Sequence, residues 1–426
     1  MKLKFTFLAF AALLLTQAQA QIWHSYDWFN NPPEPSPVIG EIAFKGDTTW
    51  IGTVESGLGW STDDTTWNVI DTANSDLPDN HITALAFDHD GNLWIGSDTH
   101  VVKYDGATWT VYNSTNAPEL PGKAATDFAI DPDNNLWVSF MLGGVAKFDG
   151  TTWTHFNAFD DGIPHDWVRG VAAQSNGDVW IATGSGAGKY DGSTWTTYDM
   201  SNTTLVNDYF MSVAVDSSDN VWFGASGGAA IFNGTTWTSY TPLNTFAFND
   251  PVMSITFDAA DNVWFATMLS GIVKFDGTAF TEYNMSNTNP PLPSNEIMVA
   301  LANGCSNDVY FGTNSGLAIF DDTLTAPDCV QDTTSTFINA LVENGSSISA
   351  KQNPSESGLV ELVCGAAVSG DYQIVLTDIL GRVVVSQSAT LTHGVTLIPV
   401  QLNASGVYFA TMRNNVSSVT SRLIVR

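Results

Sequence analysis

Two loops hold an unusual density of groups able to engage a ligand. DDGIPHDWVRG, from Asp160 to Gly170, supplies His165, Asp166, Trp167 and Arg169, and VNDYFMS, from Val206 to Ser212, supplies Asn207, Asp208 and Tyr209. Trp and Tyr present flat apolar faces that stack on a sugar ring or a peptide side chain, and each has a polar edge that hydrogen-bonds. Arginine adds a planar fork of donors suited to carboxylates. His165, Asp166, Trp167, Arg169, Asp208 and Tyr209 are therefore the candidate ligand-binding set. The competing role for the two rings is packing between structural units. Met141, Met268, Phe246 and Phe248 fall in comparable loops.

No catalytic constellation stands out beside these loops. GSGAGKY, from Gly184, fails as a phosphate loop, because Thr183 replaces the first glycine and Tyr190 stands where Ser or Thr must reach magnesium. No GxSxG or Cys/His pairing is present, and the histidines have no HExxH or zinc-ligand spacing. Ser61–Trp67, STDDTTW, has the look of a sialidase Asp-box turn, but it is one residue short and lacks the glycine. Between residues 21 and 322 Arg169 is the one arginine, which excludes a carboxylate clamp built from several. A glycosidase needs two carboxylates at a defined separation, and 44 Asp and Glu residues leave that pair unlocated. No cofactor is expected. Calcium, an oxygen-seeking ion, is the one metal the Asp pairs in DHDGN, DPDNN and DAADN would suit, but none matches a twelve-residue calcium loop, and turn chemistry explains them equally well.

The elements that position these residues repeat. One aromatic series runs Trp50, Trp94, Trp137, Trp180, Trp222, Trp264 and Tyr310; a second runs Trp23, Trp67, Trp109, Trp153, Trp195, Trp237 and Phe280. Successive steps lie between 42 and 46 residues. Short alternating runs separated by Asp, Asn and Gly turns at that period predict propeller blades of four strands. The second series begins before any inner strand, and the last unit supplies only three strands. The spare strand around Trp23–Tyr26 is thus expected to pair with the strand around Ile319, completing a seventh blade and removing a free sheet edge. Cys305 and Cys329 flank the exit from that blade, and a disulfide between them is expected, against two unpaired thiols; Cys364 has no evident partner.

Residues 1–20 read as a secretory signal peptide, with Lys2 and Lys4, an apolar run and an Ala-Gln-Ala exit. The expected organisation is a propeller over 21–322, a linker over 323–344 and a small Ig-like β-sandwich over 345–426, giving an all-β protein. A formal charge of −30 argues against nucleic acid or an anionic membrane as partner.

Two resemblances bear on function. ISAKQNPSESGLVEL, LTDILGRVV, LNASGVYFATM and SRLIVR make the C-terminal region resemble the type A sorting domain of type IX secretion cargo from Bacteroidetes, through Asn353, Pro354, Asp378, Gly381, Arg382, Gly406 and Tyr408. Lys351 and Gln352 stand where that family usually places an aromatic or Tyr-Pro. The resemblance implies periplasmic transit, passage through the type IX machinery, and release or display at the outer-membrane surface. LPDNHITALAFDHDGNLWIGS is similar to two-component-regulator propeller repeats; no transmembrane segment or kinase follows, so a sensor kinase is not expected. The reading is a monomeric, non-catalytic scaffold binding a glycan or protein, with a carbohydrate-active hydrolase or lyase on a neutral glycan as the alternative.

Overall fold

The computed structural model describes residues 22–27, 38–245, 248, 250–304 and 308–321 of the propeller region. In the C-terminal region it describes 347–350, 359–366, 370–378, 382–391, 394–401, 406–413 and 418–425. The signal peptide, Phe246, the linker, Cys305 and Cys329 lie outside these residues, and so does the expected disulfide. By backbone contacts the chain divides into two units, 1–331 and 332–426.

The first unit is a seven-bladed β-propeller in which every blade is a four-stranded antiparallel sheet. Blades one to six take their strands in chain order, within residues 39–70, 84–112, 125–156, 168–198, 210–240 and 252–283. Blade seven is composite: Ile297–Ala302, Val309–Thr313 and Gly316–Asp321 are joined at the outer edge by Ile22–Asp27. The register of that closure runs from Ile22 opposite Asp321, through Trp23 opposite Phe320, to Asp27 opposite Gly316. Trp23 is 4 % exposed and lies among Tyr283, Phe311 and Phe320, with ring centroids 5.3, 6.0 and 5.1 Å away. It fills the seam between blades six and seven as Trp237 fills the seam between four and five, 6.2 Å from Trp180.

The second-strand tryptophans of blades two to six bury almost completely and each has one polar atom to satisfy. Nε1 of Trp94, Trp137, Trp222 and Trp264 donates to Asp88, Asp131, Asp216 and Asp258 at 2.8 to 3.0 Å. Gln174 takes that place for Trp180 at 2.7 Å. The same carboxylates accept the backbone N–H four residues on and the Asn side chain there, which closes the first-to-second turn. Lys103, Lys147 and Lys274 reach these carboxylates at 3.6 to 3.8 Å and lie over the indole faces. The Asp pairs therefore serve turn and indole. At the third-to-fourth turns, Asp149 and its counterparts accept two backbone N–H bonds each, which holds their carboxyls well below the usual range. A glycine opens the third strand because its φ is positive and a Cβ would strike backbone: at Gly228, φ is +138° and the Tyr240 carbonyl would lie 2.1 Å away.

Ring closure is also tied on the other side of blade seven. Tyr310, which replaces the tryptophan there, donates to Asp64 Oδ2 of blade one at 2.7 Å and packs on Phe44. STDDTTW is thus a turn whose Asp63 accepts the Thr65 and Thr66 N–H groups and whose Asp64 reaches the last blade.

The second unit holds a three-stranded sheet of Ser347–Ala350, Leu359–Ala366 and Gly394–Gln401, and a four-stranded sheet of Val383–Leu391, Gly370–Asp378, Gly406–Arg413 and Ser418–Val425. Alternate residues Tyr372, Ile374 and Leu376 are buried, as are Ile398 and Val400, so each sheet has one apolar face.

Trp23→Ala should cost about 3–5 kcal/mol, the usual range for emptying a buried tryptophan site. Equilibrium unfolding of the mature chain checks this, and deletion of residues 22–27 should in addition produce concentration-dependent self-association from the bared edge of blade seven.

Candidate functional site

The innermost strands line the axial channel, and six of the seven carry one extra residue. The ladder to the second strand skips Gly40, Thr126, Arg169, Met211, Met253 and Met298. A bulge of this kind re-aims side chains. All of these except Gly40 line a channel cavity of about 490 Å³, together with Glu41 and Asp127, one position further along their strands. The strands are braced across blades: Thr126 Oγ1 donates to the Val168 carbonyl at 2.7 Å, and Val171 N–H donates to Asp127 Oδ2 at 3.0 Å.

Two carboxylates in this cavity are strongly perturbed. Burial, then repulsion from Asp127, pushes the Glu41 carboxyl well above its ordinary range. Burial pushes Asp127 up to about 7, against the opposing pull of hydrogen bonds from Val171 and Phe128 N–H. Sequence reasoning missed both, along with Met211, Met253 and Met298. The available signal was the repeat alignment of the inner strands, in which Glu41 and Asp127 break a column of Ala, Gly, Ser and Val.

Arg169 joins the channel to the expected ligand loops. Its guanidinium carbon lies 4.1 Å from the Trp167 ring centre and 5.4 Å from that of Tyr209, and Nη2 donates to the Tyr209 hydroxyl at 3.0 Å. Trp167 and Tyr209 stand edge to face, 6.1 Å apart at 90°, above Gly184. The two rings do not form one flat platform, and Arg169 occupies one face of Trp167. The other three expected residues hold their own loops. His165 Nδ1 accepts the Trp167 N–H at 2.8 Å, Asp166 Oδ1 accepts the Ala158 N–H at 2.7 Å, and Asp208 Oδ2 accepts the Met200 N–H at 3.2 Å. Phe248 is buried against Phe265 and Phe280 and belongs to the core of blade six, not to a ligand loop. Among the described residues no group of three or more His, Cys, Asp or Glu is placed to hold a metal.

The surface around the channel mouth is polarised. In a four-stranded antiparallel blade the second-to-third loops share one face of the disc with the connections between blades. Met141, Leu142, Met268 and Leu269 are exposed in second-to-third loops of blades three and six. Phe159, Met200, Val206, Leu243 and Met285 are exposed in connections between blades, Phe159 and Leu243 at 94 % and 95 %. Every large exposed apolar side chain found among the described propeller residues lies on this face. The opposite face carries the Asp turns.

Comparison with known proteins gives the context. Residues 353–426 match the secretion system C-terminal sorting domain family, and residues 76–99 match the two component regulator propeller family. The chain carries a secretion-system sorting domain. It is a secreted or cell-surface protein. Asp378 and Tyr408 of the sorting motif face each other on paired strands, and Gly406 pairs with Val425; Asn353, Pro354 and Gly381 lie outside the described residues. No helix among the described residues is long and apolar enough to cross a membrane.

Among solved structures, the extracellular domain of the hybrid two component system BT3049 from B. thetaiotaomicron is similar at a TM-score of 0.60 and 17 % identity, over 95 % of this chain and 57 % of that one. Virginiamycin B lyase from Staphylococcus aureus is similar at 0.56 and 12 %, over 70 % of this chain and 98 % of that one. YCF48 bound to D1 peptide is similar at 0.53 and 14 %, over 70 % and 96 %. These likenesses show the propeller fold. No curated protein matches the chain.

The raised carboxyls make stability depend on pH in a definite direction. Asp127 ionises near 3.9 in the unfolded chain and near 7 when folded, so the native state binds more protons between those values and stability falls as pH rises through that window. Asp127→Asn should raise the melting temperature by a few degrees at pH 8 and leave it nearly unchanged at pH 4, read by calorimetry.

Proposed function

We propose that this protein is a non-catalytic scaffold that binds a protein ligand on the loop face of its propeller after export. The observation that carries the reading is the gathering of exposed Met, Leu and Phe side chains on the one face that also holds the Trp167–Arg169–Tyr209 cluster. Exposed apolar area with several thioether side chains suits a protein surface better than a sugar, whose hydroxyls need a dense set of polar partners. Most carboxylates of these loops already accept backbone hydrogen bonds. A glycan remains the form of ligand for which Trp167 and Tyr209 would supply the stacking edges. We assign His165, Asp166 and Asp208 the part of shaping the loops, and Trp167, Arg169 and Tyr209 the contact. The C-terminal unit, 345–426, is read as a small Ig-like sandwich whose motif residues engage the type IX secretion machinery, and the propeller acts as a monomer.

A second reading has one observation in its favour. Glu41 and Asp127 are two raised carboxyls in one cavity, and a hydrolase of neutral glycans works with a pair of carboxyls of which one is protonated.

The test combines a panel of purified surface proteins, a glycan array and chromogenic glycosides. Binding should be lost or fall at least tenfold in Leu142→Ser/Leu269→Ser and in Trp167→Ala, with unfolding midpoints near that of the parent. Turnover of any glycoside that disappears in Glu41→Gln would replace the binding reading with the catalytic one.

A further inference from the structure

Glu41 is a carboxylate without a hydrogen bond or ion pair among the described residues, although it lies deep in the channel and lines its cavity. Asp127, close enough to repel it, offers its remaining acceptor capacity to the same space. Two carboxyls sharing one cavity repel each other when ionised, and the repulsion is relieved by holding a proton or by admitting a cation. Arg169 does not supply it: its guanidinium is turned toward Trp167 and Tyr209 and hydrogen-bonds there.

The rest of the lining decides which cation fits. A hard metal ion seeks six or more oxygen ligands. Here the nearby hydroxyls are already engaged, Thr126 with the Val168 carbonyl and with Ser139, Ser212 with the Val252 carbonyl, and Ser254 with Ala300. Met211, Met253 and Met298 stand at the same bulge position of three neighbouring blades, all on the cavity. Three flexible thioether side chains make an apolar collar that can close around a methylene stem.

We infer that the axial channel binds a primary ammonium group carried on an unbranched methylene stem, with Glu41 and Asp127 taking the ammonium and the three methionines packing the stem. Two sources share this chemistry: a lysine side chain of a protein seated on the loop face, and a free aliphatic diamine. The lysine source rests on the protein-binding reading above; the diamine source does not. The charged and titratable groups lining the cavity are Glu41 from blade one, Asp127 from blade three and Arg169 from blade four, while blades two, five, six and seven contribute none. Ammonium binding therefore opposes the proton held by the acid pair and releases it as the complex forms.

Isothermal titration of the mature chain with cadaverine tests this, in two buffers of different ionisation enthalpy. The expected result is one site per chain, net proton release, and an affinity that rises as pH goes from 6 to 8, by no more than tenfold per unit. Glu41→Gln and Asp127→Asn should each weaken binding at least tenfold while unfolding no more easily than the parent, and Met253→Ser should weaken it severalfold. n-Pentanol should not bind. Equal binding of pentanol, full affinity in both acid variants, or calcium binding in preference to cadaverine would each overturn the inference, as would no heat with cadaverine or with Nα-acetyl-lysine methylamide. A tighter fit for the lysine derivative assigns the protein source, and for cadaverine the free amine. Surface-protein binding retained in the loop-face variants, with cadaverine binding intact, would tell against the face alone.

Discussion

A buried indole with one N–H to satisfy is the constraint from which most of this propeller follows. The second strand of a blade is covered on both sides, so its tryptophan is large enough to fill the seam to the next blade but must place Nε1 against an acceptor. A carboxylate six residues upstream provides it, and that spacing fixes the tight turn between first and second strands. The lysine on the third strand then lies over the indole and within reach of the carboxylate, so one cluster couples three strands of a blade. Part of the acidity of the chain lies here and in the third-to-fourth turns, where Asp carboxylates accept backbone N–H groups. Carboxylates engaged in this way are not free to meet a cationic partner.

Closure is the second requirement, because a ring of sheets is stable only if its last edge is covered. The first strand of the chain completes the last blade, and Trp23 enters an aromatic seam like the one Trp237 fills between blades four and five. On the opposite flank the indole is replaced by Tyr310, whose longer polar reach bridges to Asp64 in the first blade. The two ends of the ring are thus joined once by a ladder of backbone bonds and once by a side chain.

With the frame so determined, variation is confined to what the frame does not use: the loops on one face and the bulge positions on the axis. Single large apolar side chains are exposed on that face, and the axis is acidic at two positions. Export through a sorting domain places the protein outside the cell or at its surface.

The blades were legible because repetition turns single residues into columns: Trp94, Trp137 and Trp180 recur at a period that only a closed array explains, and the unpaired Trp23 announced the composite blade. The polar loops were less legible. Asp166 and Asp208 have the residue types of a binding site, yet each accepts a backbone N–H of its own connection, a bond that depends on where the loop turns back. Phe248 read as a loop residue and is core, because its ring packs edge-on against Phe265 and Phe280 of blade six. Glu41 and Asp127 sit two blades apart, each an isolated acid in the text of the chain. The sequence by itself determined the blade, the number of blades and how the ring shuts, since these follow from local periods and turn chemistry. Only the tertiary structure decided which side chains converge on the axis, because a bulge re-aims one residue per strand and curvature brings seven distant strands around one cavity.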